Sequence, residues 1–313
     1  MPPPPFPIPA DVAQWIRDAF DGCNARVTQK LDVLPTTHET SLDLSFVEGL
    51  SQVSAPAVTP SGYTVRIDVH FLGGGRHFGT WEVADIGALI IYRDSSSIVR
   101  TKVALLQSKR LYPVEQNFEE DSSLTYQRGF GRLHESDPEF LRVTSSRRFS
   151  FLQRGHYAAA AVSDVQWRAI EGYERAHAIP VYYNLYHPSV IPWHVDLPLQ
   201  AGAVRRPSRH EVGCRVVPAA AVRSALVKKA VGYVPTFADL AKSPAFQLGA
   251  DRRGPGWRLE DFFVDELVMC NSGYIAGSPN DQGLAAVFSQ RGAPIAAGIA
   301  VTISTPAAAQ DDG

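Results

Sequence analysis

Residues 81–92, Trp-Glu-Val-Ala-Asp-Ile-Gly-Ala-Leu-Ile-Ile-Tyr, constrain the fold of this chain more than any other stretch. Side chains of an extended strand alternate between faces, so Val83, Asp85, Leu89 and Ile91 share one face and Ala84, Ile86, Ala88 and Ile90 the other. Both faces are apolar, which predicts a strand at the centre of a sheet. An ionised aspartate inside such a strand costs free energy unless a cation or hydrogen bonds offset its desolvation. Asp85 therefore demands a partner.

The next extended run, Val99 to Lys109, places Val103, Leu105, Gln107 and Lys109 on one face. A hairpin turning about Ser96 sets Asp85 opposite Gln107, eleven residues to either side. Directly opposed residues have Cβ atoms roughly 4.5–5.5 Å apart, close enough for two side chains to share one ion. A third carboxylate, Glu39, lies three residues before Leu42 and seven before Phe46, on the helical stripe that faces the core. Oxygen ligands from Glu39, Asp85 and the Gln107 carbonyl suit a hard cation such as Mg²⁺, with Mn²⁺ as a substitute. Such an ion activates water and polarises a phosphate, while Lys109 stabilises the charge that develops or helps deprotonate the water. Two alternatives stay open: Asp85 pairs structurally with Arg66 or Arg110, or Glu82 takes its place under another register.

Periodicity predicts helices over residues 10–31 and from about His38 to Leu50. Three strands follow, Tyr63–Leu72, Trp81–Tyr92 and Ile98–Lys109, read as an antiparallel meander, then a helix over Asp164–His177 and a strand over Ile179–Tyr186. Residues 113–150 are polar and read as an insertion. Their Arg128, Arg132, Arg147 and Arg148 alternate with Tyr126, Phe130 and Phe149, a pattern suited to contacting phosphates and stacking on bases. The expected organisation is a tail and helix over 1–35, a core over 36–200, a C-terminal lobe over 201–305 packed on that core, and a flexible tail over 306–313. The lobe holds the helical stretches Ala219–Val231 and Leu259–Met269 and the apolar run Pro294–Ile303. It carries no readable chemistry, and homo-oligomerisation or contact with an activating partner protein is its expected role. The proline run Met1–Pro9 reads as a second flexible tail.

The formal charge of −2 and pI near 6.5 exclude a polybasic coat for nucleic acid or membrane, so any nucleic-acid contact has to be local. Cys23, Cys214 and Cys270 have neither the paired spacing of a zinc site nor the even number of a disulfide framework. With no signal-peptide pattern and no membrane-length apolar window, a cytoplasmic protein is expected.

The run Asp85…Gln107-Ser108-Lys109, preceded by a helix bearing Glu39, resembles the PD-(D/E)xK nuclease superfamily over roughly residues 36–190. The resemblance implies an α/β fold with a restriction-endonuclease-like core (αβββαβ), a mixed central sheet flanked by helices, and a C-terminal α/β elaboration. By the same resemblance Asp85 is the metal-binding aspartate, Gln107 the second metal-facing position, Lys109 the catalytic lysine and Glu39 the acid of the first core helix. A Mg²⁺-dependent endonuclease acting on DNA, in restriction-type or antiviral defence, is what it leads one to expect. Ala84 stands where the namesake proline belongs, and Gln107 replaces the usual acid in the manner of some restriction-type members. A non-cleaving nucleic-acid-binding or assembly module of the same fold is the alternative.

Overall fold

The computed structural model describes residues 2–71, 83–94, 97–119, 146–158, 160–197, 212–248, 254–278, 281–288 and 295–306. Glu82, Tyr126, Arg128, Phe130, Arg132 and the tail from residue 307 lie outside these, so the expectations placed on them are not addressed.

Helix α1 (Ala10–Val33) buries Val12, Ile16, Phe20, Cys23, Val27 and Leu31, steps of three and four residues that keep one face inward. Asp11 in its first turn and Lys30 in its last oppose the helix dipole. Helix α2 (Glu39–Ser51) buries Leu42, Phe46, Val47 and Leu50. Phe20 joins the two helices, with its ring 6.2 Å from that of Phe46.

The strands are β1 (Ala57–Val58), β2 (Thr64–Phe71), β3 (Ile86–Asp94), β4 (Ser97–Arg110), β5 (Val114–Glu119) and β6 (Ser146–Phe151). Helix α3 (Val165–His177) follows, started by the Asp164 carboxylate accepting from Trp167 N at 2.7 Å. Then come β7 (Val181–Tyr186), β8 (Trp193–Leu197), β9 (Arg215–Pro218) and helix α4 (Ala219–Leu226). The chain ends through β10 (Trp257–Arg258), β11 (Tyr274–Ala276) and β12 (Ala297–Ser304).

This is an α/β protein. Nine strands among the described residues form one mixed sheet, in the order β1-β2-β12-β3-β4-β7-β9-β10, with β11 also on β4. A second sheet has the order β5-β6-β8. The ends of the polar stretch 113–150, read as an insertion, are thus two of its strands. Helices cover both faces of the large sheet: α3 and α4 meet on the Tyr183 side, where Arg223 of α4 pairs with Glu174 of α3. On the opposite side Tyr182 packs against Phe262, and Phe263 stacks on Phe20 of α1 at 3.7 Å.

The β3–β4 hairpin keeps the expected register, from Ile86↔Leu106 to Tyr92↔Arg100, with a shift only near its turn. Two other expectations fail. The first three long strands are not a meander, because β12 enters between β2 and β3, antiparallel to one and parallel to the other. Its apolar residues Ile299, Val301 and Ile303 are buried, as befits a strand covered on both faces. The proline run is not left as a flexible tail: the Phe6 ring packs 5.8 Å from Tyr92 and 5.9 Å from Tyr63, and Tyr63 Oη donates to Pro7 O. No helix among the described residues is long and apolar enough to cross a membrane, and the three cysteines are free and buried.

Candidate functional site

Every residue of β4 from Thr101 to Arg110 is buried. Strand β3 accompanies β4 only as far as Leu106, whereas β7 runs beside Leu105 to Arg110 on the other edge. From Ser108 onward the N–H groups facing the β3 side therefore need other acceptors. Two carboxylates supply them: Asp85 Oδ2 accepts from Ser108 N at 2.7 Å, and Glu39 Oε1 accepts from Arg110 N at 3.0 Å. The start of β3 and the start of α2 thus converge on the C-terminal end of β4.

Asp85 does not lie inside the strand, as its sequence context suggested; it immediately precedes Ile86, the first residue of β3, and is half-buried. It is fixed at this position on both sides. Its own N–H donates to Leu106 O at 2.9 Å, and its carbonyl accepts from Ala296 N and Ala297 N, each at 2.9 Å, at the entrance to β12. The register brings Gln107 to it as expected, and the Gln107 amide nitrogen donates to Asp85 Oδ2.

Lys109 is 2% exposed, with its ammonium 4.0 Å from Glu39 Oε2. Glu39 is thus engaged twice, by a backbone N–H and by this ion pair. Arg110 anchors the connector that leads into α2, donating to the carbonyls of Pro35 and Thr37 while its guanidinium lies 3.9 Å from the Tyr112 ring centroid. Arg66 pairs with Asp68 on β2. Neither arginine proposed as a structural partner of Asp85 is directed to it in these contacts.

One acidic residue at this place went unread in the sequence. Asp43 sits one turn beyond Glu39 on α2, a spacing that puts both on one helix face. Its Oδ1 accepts from the Ser108 hydroxyl and from Tyr186 Oη, the latter at 2.5 Å. Burial, and then the nearby charge of Asp85, push the Asp43 carboxyl well above the usual carboxylate range, against the two hydroxyls that favour its ionised form. Ser108 ties the carboxylates together, N–H to Asp85 and O–H to Asp43. The periodicity that pointed Gln107 and Lys109 to one face left Ser108 out of account.

Two features fit a hard cation at this place. The donors are all oxygens, and Gln107 Oε1 is buried with no hydrogen-bond partner among the described residues. No group of three or more His, Cys, Asp or Glu side chains is arranged to hold a metal among the described residues. Any cation here would thus rest on at most two carboxylates, with the amide oxygen beside them.

The two described arginines of the suggested nucleic-acid patch are exposed on β6 and already paired: Arg147 with Glu115 at 3.3 Å, and Arg148 with Asp196 at 2.7 Å through two hydrogen bonds. Comparison with protein-family models, with curated proteins and with solved structures finds no match to this chain.

Proposed function

We propose that this chain is a divalent-cation-dependent nuclease that hydrolyses phosphodiester bonds, with its site at the junction of β3, β4 and α2. The observation that carries the reading is the hairpin register: starting at Ile86↔Leu106, it brings Asp85, just before β3 begins, within hydrogen-bond reach of Gln107, two residues before the buried Lys109. A restriction-endonuclease-like core agrees with several features of the fold, namely α2 ahead of the strands, the β3–β4 hairpin, and the α3 crossover to a β7 parallel to β4. The strand β12 between β2 and β3 departs from that core order. The choice of DNA as polymer, and of restriction-type or antiviral defence as role, rests on the superfamily resemblance alone.

In this reading Asp85 and Gln107 hold Mg²⁺ or Mn²⁺, which when bound supplies Lewis acidity toward the phosphate. The Lys109 ammonium, kept from bulk water and held by Glu39, stabilises negative charge developing on the phosphate oxygens, an interaction strengthened by the low local dielectric. Gln107 orients Asp85 through its amide N–H, and Arg110 keeps the α2 connector, and with it Glu39, against β4.

The test is cleavage of plasmid, linear DNA and RNA by purified protein in Mg²⁺, Mn²⁺ or EDTA, beside Lys109→Ala and Asp85→Asn. Metal-dependent cutting that falls about a hundredfold or more in each variant, with the thermal melt retained, is the expected outcome. Cutting by Asp85→Asn at the full rate would remove the site assignment. A second reading, a non-cleaving nucleic-acid-binding module, is favoured by one observation: Asp85 and Glu39 already serve a structural purpose, capping the free edge of β4. Nucleic-acid binding without cutting in any metal would select it.

A further inference from the structure

We propose that the outer edge of β2 is a self-complementary interface, on which a second copy of this chain docks antiparallel about a two-fold axis at Val69. Strand β2 is paired with β12 over its whole length, from Phe71↔Ala297 to Thr64↔Ser304. On its other side β1 covers only Thr64 and Val65. Tyr63 O accepts from Thr59 N on that side at 2.8 Å, so alternation along the strand turns the N–H and C=O groups of Ile67, Val69 and Phe71 the same way. No strand pairs with them there among the described residues. Such an open row of donors and acceptors is a template for another strand.

The side chains choose both the partner and the register. A two-fold pairing that stays clear of β1 is centred on Val69, so that Ile67 meets Phe71 of the second copy, Val69 meets its own equivalent, and Asp68 meets His70. Each opposed pair among Ile67, Val69 and Phe71 exchanges both N–H···O bonds, about six in all. On one face this joins the half-buried Val69 and Phe71, the latter 59% exposed in the single chain, into an apolar row beside the buried Ile67. On the other face Asp68, already held by Arg66 at 2.5 Å, lies opposite the second copy's His70 in a non-hydrogen-bonded pair, the type in which side chains approach closest. Charged side chains on an edge strand ordinarily repel a further strand. Here the neighbouring centres, Asp68 and His70, would oppose each of these residues to itself, and the centre at Val69 opposes each to the other.

The experiment is sedimentation velocity on the full chain over a range of concentration, for the wild type, Val69→Pro, Asp68→Lys and His70→Glu, with a thermal melt of each. Val69→Pro removes an N–H that faces away from β12, so no ladder bond within the chain is lost. The expected result is a concentration-dependent dimer of the wild type, weakened about tenfold or more in Val69→Pro. His70→Glu opposes like charges across the axis, and Asp68→Lys removes the acceptor for His70, so each alone dimerises less than the wild type. An equimolar mixture of the two restores the dimer, because in the heterodimer Lys faces Glu and Asp68 faces His70. A wild type that stays monomeric throughout overturns the proposal, as does a dimer that Val69→Pro leaves at full strength. If Val69→Pro melts early the mixture decides: dimer no greater than in either variant alone overturns the pairing.

Discussion

Two buried polar residues outside the candidate site set limits on what individual side chains contribute. His187 is enclosed, edge-on to Tyr157 and Phe237, with Nδ1 3.0 Å from Gly213 O and Nε2 against Tyr157 Oη. Burial pushes its pKa down from 6.5 to about 3, with Arg215 acting in the same direction. The unfolded chain therefore binds a proton at this residue below pH 6.5 that the folded chain refuses until about pH 3. No penalty exists above the upper limit, and stability falls with pH between the two by at most about 1.4 kcal/mol per pH unit. In His187→Gln that slope, measured by urea unfolding across the window, should be reduced by up to this amount, whatever the variant's absolute stability. An unchanged slope would place the titrating groups elsewhere. Asn184 poses the opposite case. It sits on β7 between Ser108 and Val216, fully buried, with neither amide atom partnered among the described residues. Such a group costs about 1–3 kcal/mol, so Asn184→Val, which also favours a strand, is expected to raise the urea midpoint by an amount worth roughly 1–2 kcal/mol. A lowered midpoint would identify the amide as the partner of a buried water or ligand.

At the scale of elements, local patterns were legible wherever one residue's neighbours in sequence are also its neighbours in space. The buried stripe of α1, the Phe46 face of α2 and the Asp164 cap of α3 all follow from spacings within a turn or two. The hairpin register was legible for the same reason: a short turn fixes it, and a slip would reverse both faces of β3. What the spacing did not reveal is where β3 begins. Alternation runs back to Val83, yet the ladder starts at Ile86: Asp85 keeps a single backbone bond to β4, N–H to Leu106 O, while its carbonyl is taken by Ala296 N and Ala297 N. Asp43 was missed because a carboxylate four residues from another on a surface helix is usually solvated; its significance depends on Ser108 and Tyr186, which are 65 and 143 residues away. The helix expected over Ala219–Val231 stops at Leu226, leaving Val227 and Val231 exposed. The stretch beginning at Leu259 passes into a π-helix over Phe262–Val268, for which nothing in the spacing gave a sign.

For the whole molecule the decisive contact is the least local one. Strand β12 pairs with β2 from Ala297↔Phe71 to Ser304↔Thr64, and with β3 from Ala297↔Ile86 to Ser304↔Arg93. It therefore occupies the centre of the sheet although it lies more than 200 positions from either neighbour in the chain. The strands β9, β10 and β11, also from the part read as a C-terminal lobe, extend the same sheet. A pairing of this separation has no local signal, since its closure entropy is compensated only when most of the intervening chain has formed. It also reaches the candidate site, because the entrance to β12 holds the Asp85 carbonyl. If β12 is integral, a chain ending at residue 294 exposes the facing edges of β2 and β3 and their apolar surfaces, and the expected product is a collapsed state. Such a state binds a hydrophobic dye, lacks near-ultraviolet circular dichroism and unfolds in urea without a sharp transition. Adding residues 295–306 as a separate peptide should then restore a cooperative transition, along with any Mn²⁺ affinity that depends on the placement of Asp85. If the shortened chain instead unfolds cooperatively with native spectra, β2 can pair with β3 directly, and β12 is an accessory strand laid into a meander that stands without it.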